Sequence, residues 1–273
     1  MKRTILTCFS LFRVQVAEGF QYRIAALSGT ITSLVWAFVE VAAFTVFFKY
    51  SSNAGSVGGL TLAQTISHVW VRELLLFMQP YSIDAALLEK INNGDISVEM
   101  CRPLDLYWHW FARTSAGKIV TAVMRCLTCF LIGFLIPGGF GASLPVSVGA
   151  FFAFIPSVLC AFVLCCAYGM LVTAVRANIS WGNAPMHFLL LMAQVLSGAY
   201  LPLQLWPDFL QTILLYQPFA GIADIPARLY IGSMPVSNAW VAMCVQLAWA
   251  GIFIVMGKLI MNSRLNSIVV QGG

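Results

Sequence analysis

Four ionisable residues stand where such groups are costly. Glu40, the adjacent Arg72 and Glu73, and Arg125 all lie within long apolar runs. A charge near the centre of a membrane span costs on the order of 3 kcal/mol on an insertion scale. Such residues therefore face protein or a wet path and find partners there. At about 1.5 Å per helical residue, Glu40 falls about 12 Å and Arg72 about 18 Å from the outer ends of their runs. An ion pair between neighbouring spans follows as a hypothesis. Such a pair either pins two helices together or contacts a substrate, and the sequence leaves both open. Arg125 lies about 9 Å from the start of its run, close enough to snorkel inward.

Other chemistry is sparse. Cys126 and Cys129 form a C-x-x-C, but it sits inside an apolar run with no second ligand pair nearby, which suits small apolar side chains in a helix. No disulfide framework is expected. His68, His109 and His187 are scattered, without Cys or carboxylate partners at ligand spacing, so no metal site is expected. The sequence contains no G-x-x-x-x-G-K-[ST], no H-E-x-x-H and no G-x-S-x-G. It thus has no phosphate-cradling loop of the usual kind and no catalytic cluster.

The elements that must carry these charges follow from composition. Of 273 residues, 60% are hydrophobic and 9% charged, with a net charge of +5. A soluble domain is about 25% charged. This chain cannot cover itself with polar surface, so the expectation is an all-α polytopic membrane protein forming one domain over 1–273. No run of four basic residues occurs, which argues against a nucleic-acid partner.

Six spans are expected, at about Ile24–Phe48, Leu60–Pro80, Ile119–Ile136, Val148–Val175, Pro185–Leu205 and Ala239–Met261. The second carries Arg72 and Glu73 and should face protein rather than lipid. With the N-terminus inside, eleven basic residues fall on the cytoplasmic side and only Lys49 and Arg228 outside. That bias favours an even number of spans, with both termini cytoplasmic. Before the first span, Ile5, Phe9, Phe12, Val16 and Phe20 recur at helical spacing. Residues 2–20 therefore read as an amphipathic helix in the inner interface, not as a secretory signal.

Two connections are too rich to be simple joints. Residues 81–118 hold nine of the charged residues, with an apolar stripe of Ile83, Leu87 and Ile91, an expected helix stop at Gly94 and an aromatic cluster at Tyr107, Trp108, Trp110 and Phe111. Residues 200–237 hold five prolines, Pro202, Pro207, Pro218, Pro226 and Pro235, yet stay apolar. Short helices or a re-entrant hairpin fit them better than a soluble loop. No internal repeat is evident, which weighs against transporters built from repeated halves.

Ile91-Asn92-Asn93-Gly94-Asp95-Ile96 followed by Arg102-Pro103-Leu104-Asp105-Leu106-Tyr107-Trp108 resembles the I-x-x-G-D-[IV]…R-P-L-D pattern of a bacterial type 2 ABC export permease family. Some of its members are described as viologen or multidrug exporters. Leu196-Ser197-Gly198-Ala199-Tyr200-Leu201-Pro202-Leu203, then Trp206-Pro207-Asp208-Phe209-Leu210, is similar to its passage before the last span. Pro218-Phe219, Asp224-Ile225-Pro226 and Arg228-Leu229-Tyr230-Ile231-Gly232 look like the continuation, and Val269–Gly273 is similar to the family's end. In order, these passages cover most of the chain.

The resemblance implies a permease that pairs with a second permease, identical or homologous, and with a dimer of cytoplasmic ABC ATPases in the bacterial inner membrane. ATP and Mg²⁺ would be used by that partner, and this chain would bind no cofactor. The coupling helix would span about Asp84–Gly94, with Asp95–Pro103 behind it. Its ATPase-facing candidates are Asp84, Leu87, Glu89, Lys90, Ile91, Gly94, Asp95, Glu99 and Arg102. The outer segment would be a re-entrant gate, with Pro202, Pro207, Phe219 and Pro226 as candidates. Trp36, Glu40, Gln194 and Ser197 are candidates for a mostly apolar substrate path suited to lipophilic or amphiphilic cargo. The rival readings are an ion-coupled secondary transporter, and an integral-membrane enzyme or assembly scaffold.

Overall fold

The computed structural model describes residues 2–21, 23–51, 56–78, 83–93, 99, 105–178 and 183–267. Among them every regular element is helical, apart from one isolated bridge between Val57 and Leu60. The all-α expectation is met.

Helix α1 covers Lys2–Gly19 and packs along α5 (Leu106–Thr121). Gly19 permits the close approach: a Cβ there would come within 2.8 Å of the Val120 side chain. In the second half of α1, Phe12 and Val16 are half-buried while Ser10, Arg13 and Ala17 are exposed, as its periodicity predicts.

Four helical stretches are long and apolar enough to cross a membrane: Ala26–Tyr50, Leu106–Gly133, Val148–Asn178 and Val236–Ser263. They contain most of α2 (Arg23–Tyr50), α5 with α6 (Leu127–Gly133), α7 (Val148–Asn178) and most of α11 (Ala239–Ser267). By helix composition this is a multi-pass membrane protein.

The remaining expected spans are shorter. The second is α3 (Leu62–Leu74), prolonged by a 3₁₀ turn at Leu75–Met78. A reciprocal capping box between Thr61 and Gln64 starts it. Every residue from Thr65 to Glu73 is buried, so this helix faces protein, as its charges demand. The fifth is α8 (Ala184–Leu196), only 13 residues long. Its expected end at Leu205 is not observed. Gly198 adopts a φ of 78°, and a Cβ there would lie 3.1 Å from that of Asp224. The helix therefore turns at Gly198, ahead of Pro202.

The third span also differs from expectation. Asp105 accepts hydrogen bonds from the backbone N–H groups of Tyr107 and Trp108 and starts the helix at Leu106 rather than Ile119. The aromatic cluster therefore rides on the same helix as Lys118. A π turn at Ala122–Cys126 interrupts that helix and carries Arg125.

The long helices α7 and α11 pack along each other. Between them the fully buried Gln246 amide donates to Gly221 O at 2.7 Å and to Ser157 O at 3.3 Å, which satisfies a polar group that burial would otherwise penalise. The proline-rich stretch 200–237 breaks into a 3₁₀ turn at Leu203–Leu205, α9 (Asp208–Tyr216) and α10 (Asp224–Ile231). All eight residues of α10 are buried. The connection from α6 to α7 is strapped down: Trp70 Nε1 donates to Phe140 O at 2.9 Å, Tyr230 Oη to Ser143 O at 2.9 Å, and the Ser67 and Ser143 hydroxyls meet.

Candidate functional sites

The first site forms where α3 meets α2. The spacing of α3 presents Arg72 to α2 while its neighbour Glu73 stays in the core. Arg72 Nη1 lies 2.7 Å from Glu40 Oε1 and 2.6 Å from Oε2. Nη2 donates to Glu73 Oε1 at 2.6 Å. Nη1 also donates to Ala199 O, which the turn after α8 brings inward. One guanidinium thus serves two carboxylates and a carbonyl. Charge-assisted contacts of this kind offset the cost of removing all three ions from water.

These groups line a cavity of about 560 Å³ with Thr32, Ser33, Trp36, Leu76, Arg125 and Tyr200. Trp36 and Glu40, expected on the substrate path, lie in it. Gln194 and Ser197 do not. Both are buried behind it: Tyr200 Oη donates to Gln194 Oε1 at 2.9 Å, and Ser197 Oγ donates to Gln194 O at 2.9 Å. Tyr200, Thr32, Ser33 and Arg125 were missed as lining residues. Arg125 is visible in the sequence as an intramembrane charge, and its position there suits snorkelling. Here its Nε donates to Ser33 Oγ at 3.1 Å.

The second site is the corner around α4 (Ala85–Asn93). Asp84 caps α4, accepting from Ala86 N at 2.9 Å and Leu87 N at 3.3 Å through one oxygen. Its other oxygen accepts from Arg113 Nε on α5 at 3.0 Å. Leu87 and Ile83 are buried and Ile91 packs against the core, while Glu89 is exposed. Lys90 pairs with Glu99, whose second oxygen accepts from Trp110 Nε1 at 2.6 Å. Burial pushes the Glu99 carboxyl up, but the bonds from Lys90 and Trp110 outweigh it and hold the group below its ordinary 4.5. Arg176 reaches across to Asn92 Oδ1 at 2.6 Å. Gly94, Asp95 and Arg102 lie outside the described residues.

At the other end, Pro202 and Pro226 are buried, Pro207 is exposed, and the Phe219 ring meets Tyr168 edge-on at 5.0 Å. Asp224 is fully buried, paired with Arg228 and 3.8 Å from His68 Nε2, and accepts from Leu203 N at 3.1 Å. This carboxylate ties α10 to α3 and to the 3₁₀ turn. It was not singled out from the sequence, where it reads as one loop charge among several. Among the described residues no group of three or more potential metal ligands clusters.

Helices long and apolar enough to cross a bilayer, with an ionic triad lining a cavity, make this a multi-pass membrane protein. Residues 22–272 match the family model described as ABC-2 family transporter protein, and the chain belongs to that family. Permeases of this family pair with ATPase subunits. No curated protein matches the chain.

Proposed function

We propose that this chain is the membrane half of an ATP-driven exporter, crossing the bacterial inner membrane six times with both ends in the cytoplasm. Two permeases and two ATPases form the working unit, and a lipophilic or amphiphilic substrate passes between the permeases. The observation that carries this reading is the build of α4. It is short and amphipathic, capped by Asp84, and fixed to α5 through Arg113. A helix held this way transmits a rigid displacement instead of absorbing it. Its exposed Glu89 and Asn93 are left for an ATPase surface, beside Asn92, which Arg176 holds. In this reading the buried α3 and the half-exposed α8 complete the six spans, and the broken outer segment, with α10 buried and α9 exposing Phe209 and Ile213, acts as the gate.

The apolar exposure of α2 supports the paired arrangement. Ile31, Val35, Phe38 and Val39 are each about half exposed along it, and Trp36 is 60% exposed at the cavity. A second permease on that side would close the cavity into a path. The ion-coupled alternative draws on the triad, where two carboxylates share one guanidinium. Gentle purification of the tagged chain separates the two readings. A stoichiometric soluble ATPase in the eluate, and transport that stops on ATP depletion, are expected. A lone membrane protein whose transport in liposomes needs only a proton gradient would overturn the exporter reading.

A further inference from the structure

A second cavity, of about 400 Å³, lies between α5 on one side and Leu76, Phe77, Ile83, Asp84 and Ala85 on the other. One wall is a single face of the α5 helix: Thr114, Gly117, Lys118 and Thr121, continued by Arg125 on the π turn. Spacings of three and four put these residues in one row. Nothing lies within 4 Å of where a Cβ on Gly117 would be, so that position leaves open space. The opposite wall is mainly apolar, with Leu76, Phe77 and Ile83.

The charges do not balance. Lys118 Nζ donates to Phe77 O at 3.2 Å and Arg125 Nε to Ser33 Oγ at 3.1 Å. Among the described residues neither forms an ion pair with a carboxylate, whereas Lys90, Arg113, Lys258, Arg72 and Arg228 all do. The carboxylate in the cavity wall, Asp84, is already held by Arg113. Two cations in one cleft without counter-ions leave strong attraction for an anion. Their depth narrows its kind. Gly19, at the end of the amphipathic α1, packs on Val120, so Lys118 stands level with that helix. Arg125 lies about 10 Å further along. Basic pockets between spans on the cytoplasmic side suit acidic lipid headgroups.

We infer that this cavity seats the acidic headgroup, phosphate or carboxylate, of a membrane amphiphile. Lys118 and Arg125 are its counter-ions, and its apolar body runs along Leu76 and Phe77. The inference rests on the permease reading and adds a ligand class to it. Leu76 and Arg125 also line the Trp36 cavity, so the bound headgroup lies beside the proposed path.

The test needs neither ATPase nor transport, so its failure is distinct from failure of the exporter reading. The purified full chain in neutral detergent is titrated with phosphatidylglycerol or phosphatidylcholine of matched acyl chains and read by native mass spectrometry. Phosphatidylglycerol should be retained about tenfold or more over phosphatidylcholine. K118Q/R125Q should lose that preference, and R13Q, whose side chain is exposed on α1, should keep it. K118R and R125K conserve the charges and should retain the lipid, which gives a result even where the double variant does not fold. Equal retention of the two lipids, or full preference in a monodisperse K118Q/R125Q, overturns the inference. Displacement of phosphatidylglycerol by millimolar inorganic phosphate reassigns the site to free phosphate and also overturns it.

Discussion

Arg72 on α3 holds Glu40 on α2 through one nitrogen, Nη1, which lies 2.7 Å from Oε1 and 2.6 Å from Oε2. Nη2 of the same guanidinium binds Glu73. Removing the arginine leaves two carboxylates without their shared counter-ion, Glu73 in the core and Glu40 at the cavity wall. R72A should destabilise the chain by about 3–5 kcal/mol, the usual cost of breaking a buried pair. E40A should cost less, because Glu73 still neutralises Arg72. The R72A/E40A double-mutant cycle, read by thermal unfolding in detergent, should show coupling of about 1–3 kcal/mol. Additive effects would mean that the two side chains do not act as a pair.

Glu99 makes a pH-dependent contribution. Its carboxyl is held below 4.5 in the folded chain by Lys90 and Trp110, against the opposing push of burial. A depressed acid stabilises fully above the unfolded value and loses that contribution as pH falls through the folded value. The melting-temperature gap between wild type and E99Q should be full near neutral pH and shrink once pH drops below about 4.5. A gap that widened on acidification would contradict the Lys90–Glu99–Trp110 arrangement.

Gly133 lies against the Trp70 ring. A Cβ there would come within 2.7 Å of the indole, which is fully buried and fixed by its bond to Phe140 O. The ring cannot withdraw without losing that bond. G133A should therefore cost about 1–3 kcal/mol from overpacking, despite alanine's better helix propensity. A neutral or stabilising result in a thermal melt would show that the α3–α6 contact yields.

E89K reverses a charge on the exposed face of α4 without touching the Asp84 cap or buried Leu87. Insertion and yield should stay at wild-type levels. With the ATPase bound, hydrolysis should continue while transport per ATP falls several-fold, because the pushing surface is misaligned. Unchanged coupling would place the docking surface elsewhere. D95K, outside the described residues, is the matching second substitution.

The long helices and the α1 stripe were legible because each is a property of one segment: apolar length, or one period. The burial of α3 was legible for a related reason, since Arg72 and Glu73 tolerate few other surroundings. The Glu40–Arg72 pairing came from depth arithmetic on two segments. The cavity was only half legible. Trp36 and Glu40 line it, but Gln194 and Ser197 were chosen on a helix that turns at Gly198, one residue beyond Ser197. That turn places Tyr200 at the cavity and Gln194 behind it, and its close fit to Asp224 involves a residue far along the chain. The π turn that carries Arg125 left no mark in the hydrophobic period, because one extra residue in a wide apolar run shifts no recognisable face.

The strap across the α6–α7 connection makes one unit of three elements that are far apart in the chain. Trp70 of α3, Tyr230 of α10 and the loop backbone at Phe140 and Ser143 are joined by hydrogen bonds to two carbonyls and by one hydroxyl contact. A body fastened at three points swings as one piece, so α3, that loop and α10 form a single outer leaf. α2 joins this leaf through the Arg72–Glu40 pair and the edge-on contact of Phe38 with the Trp70 ring. Glu40 and Arg72 are thus the ionic link between α2 and a leaf that Trp70 and Tyr230 hold together.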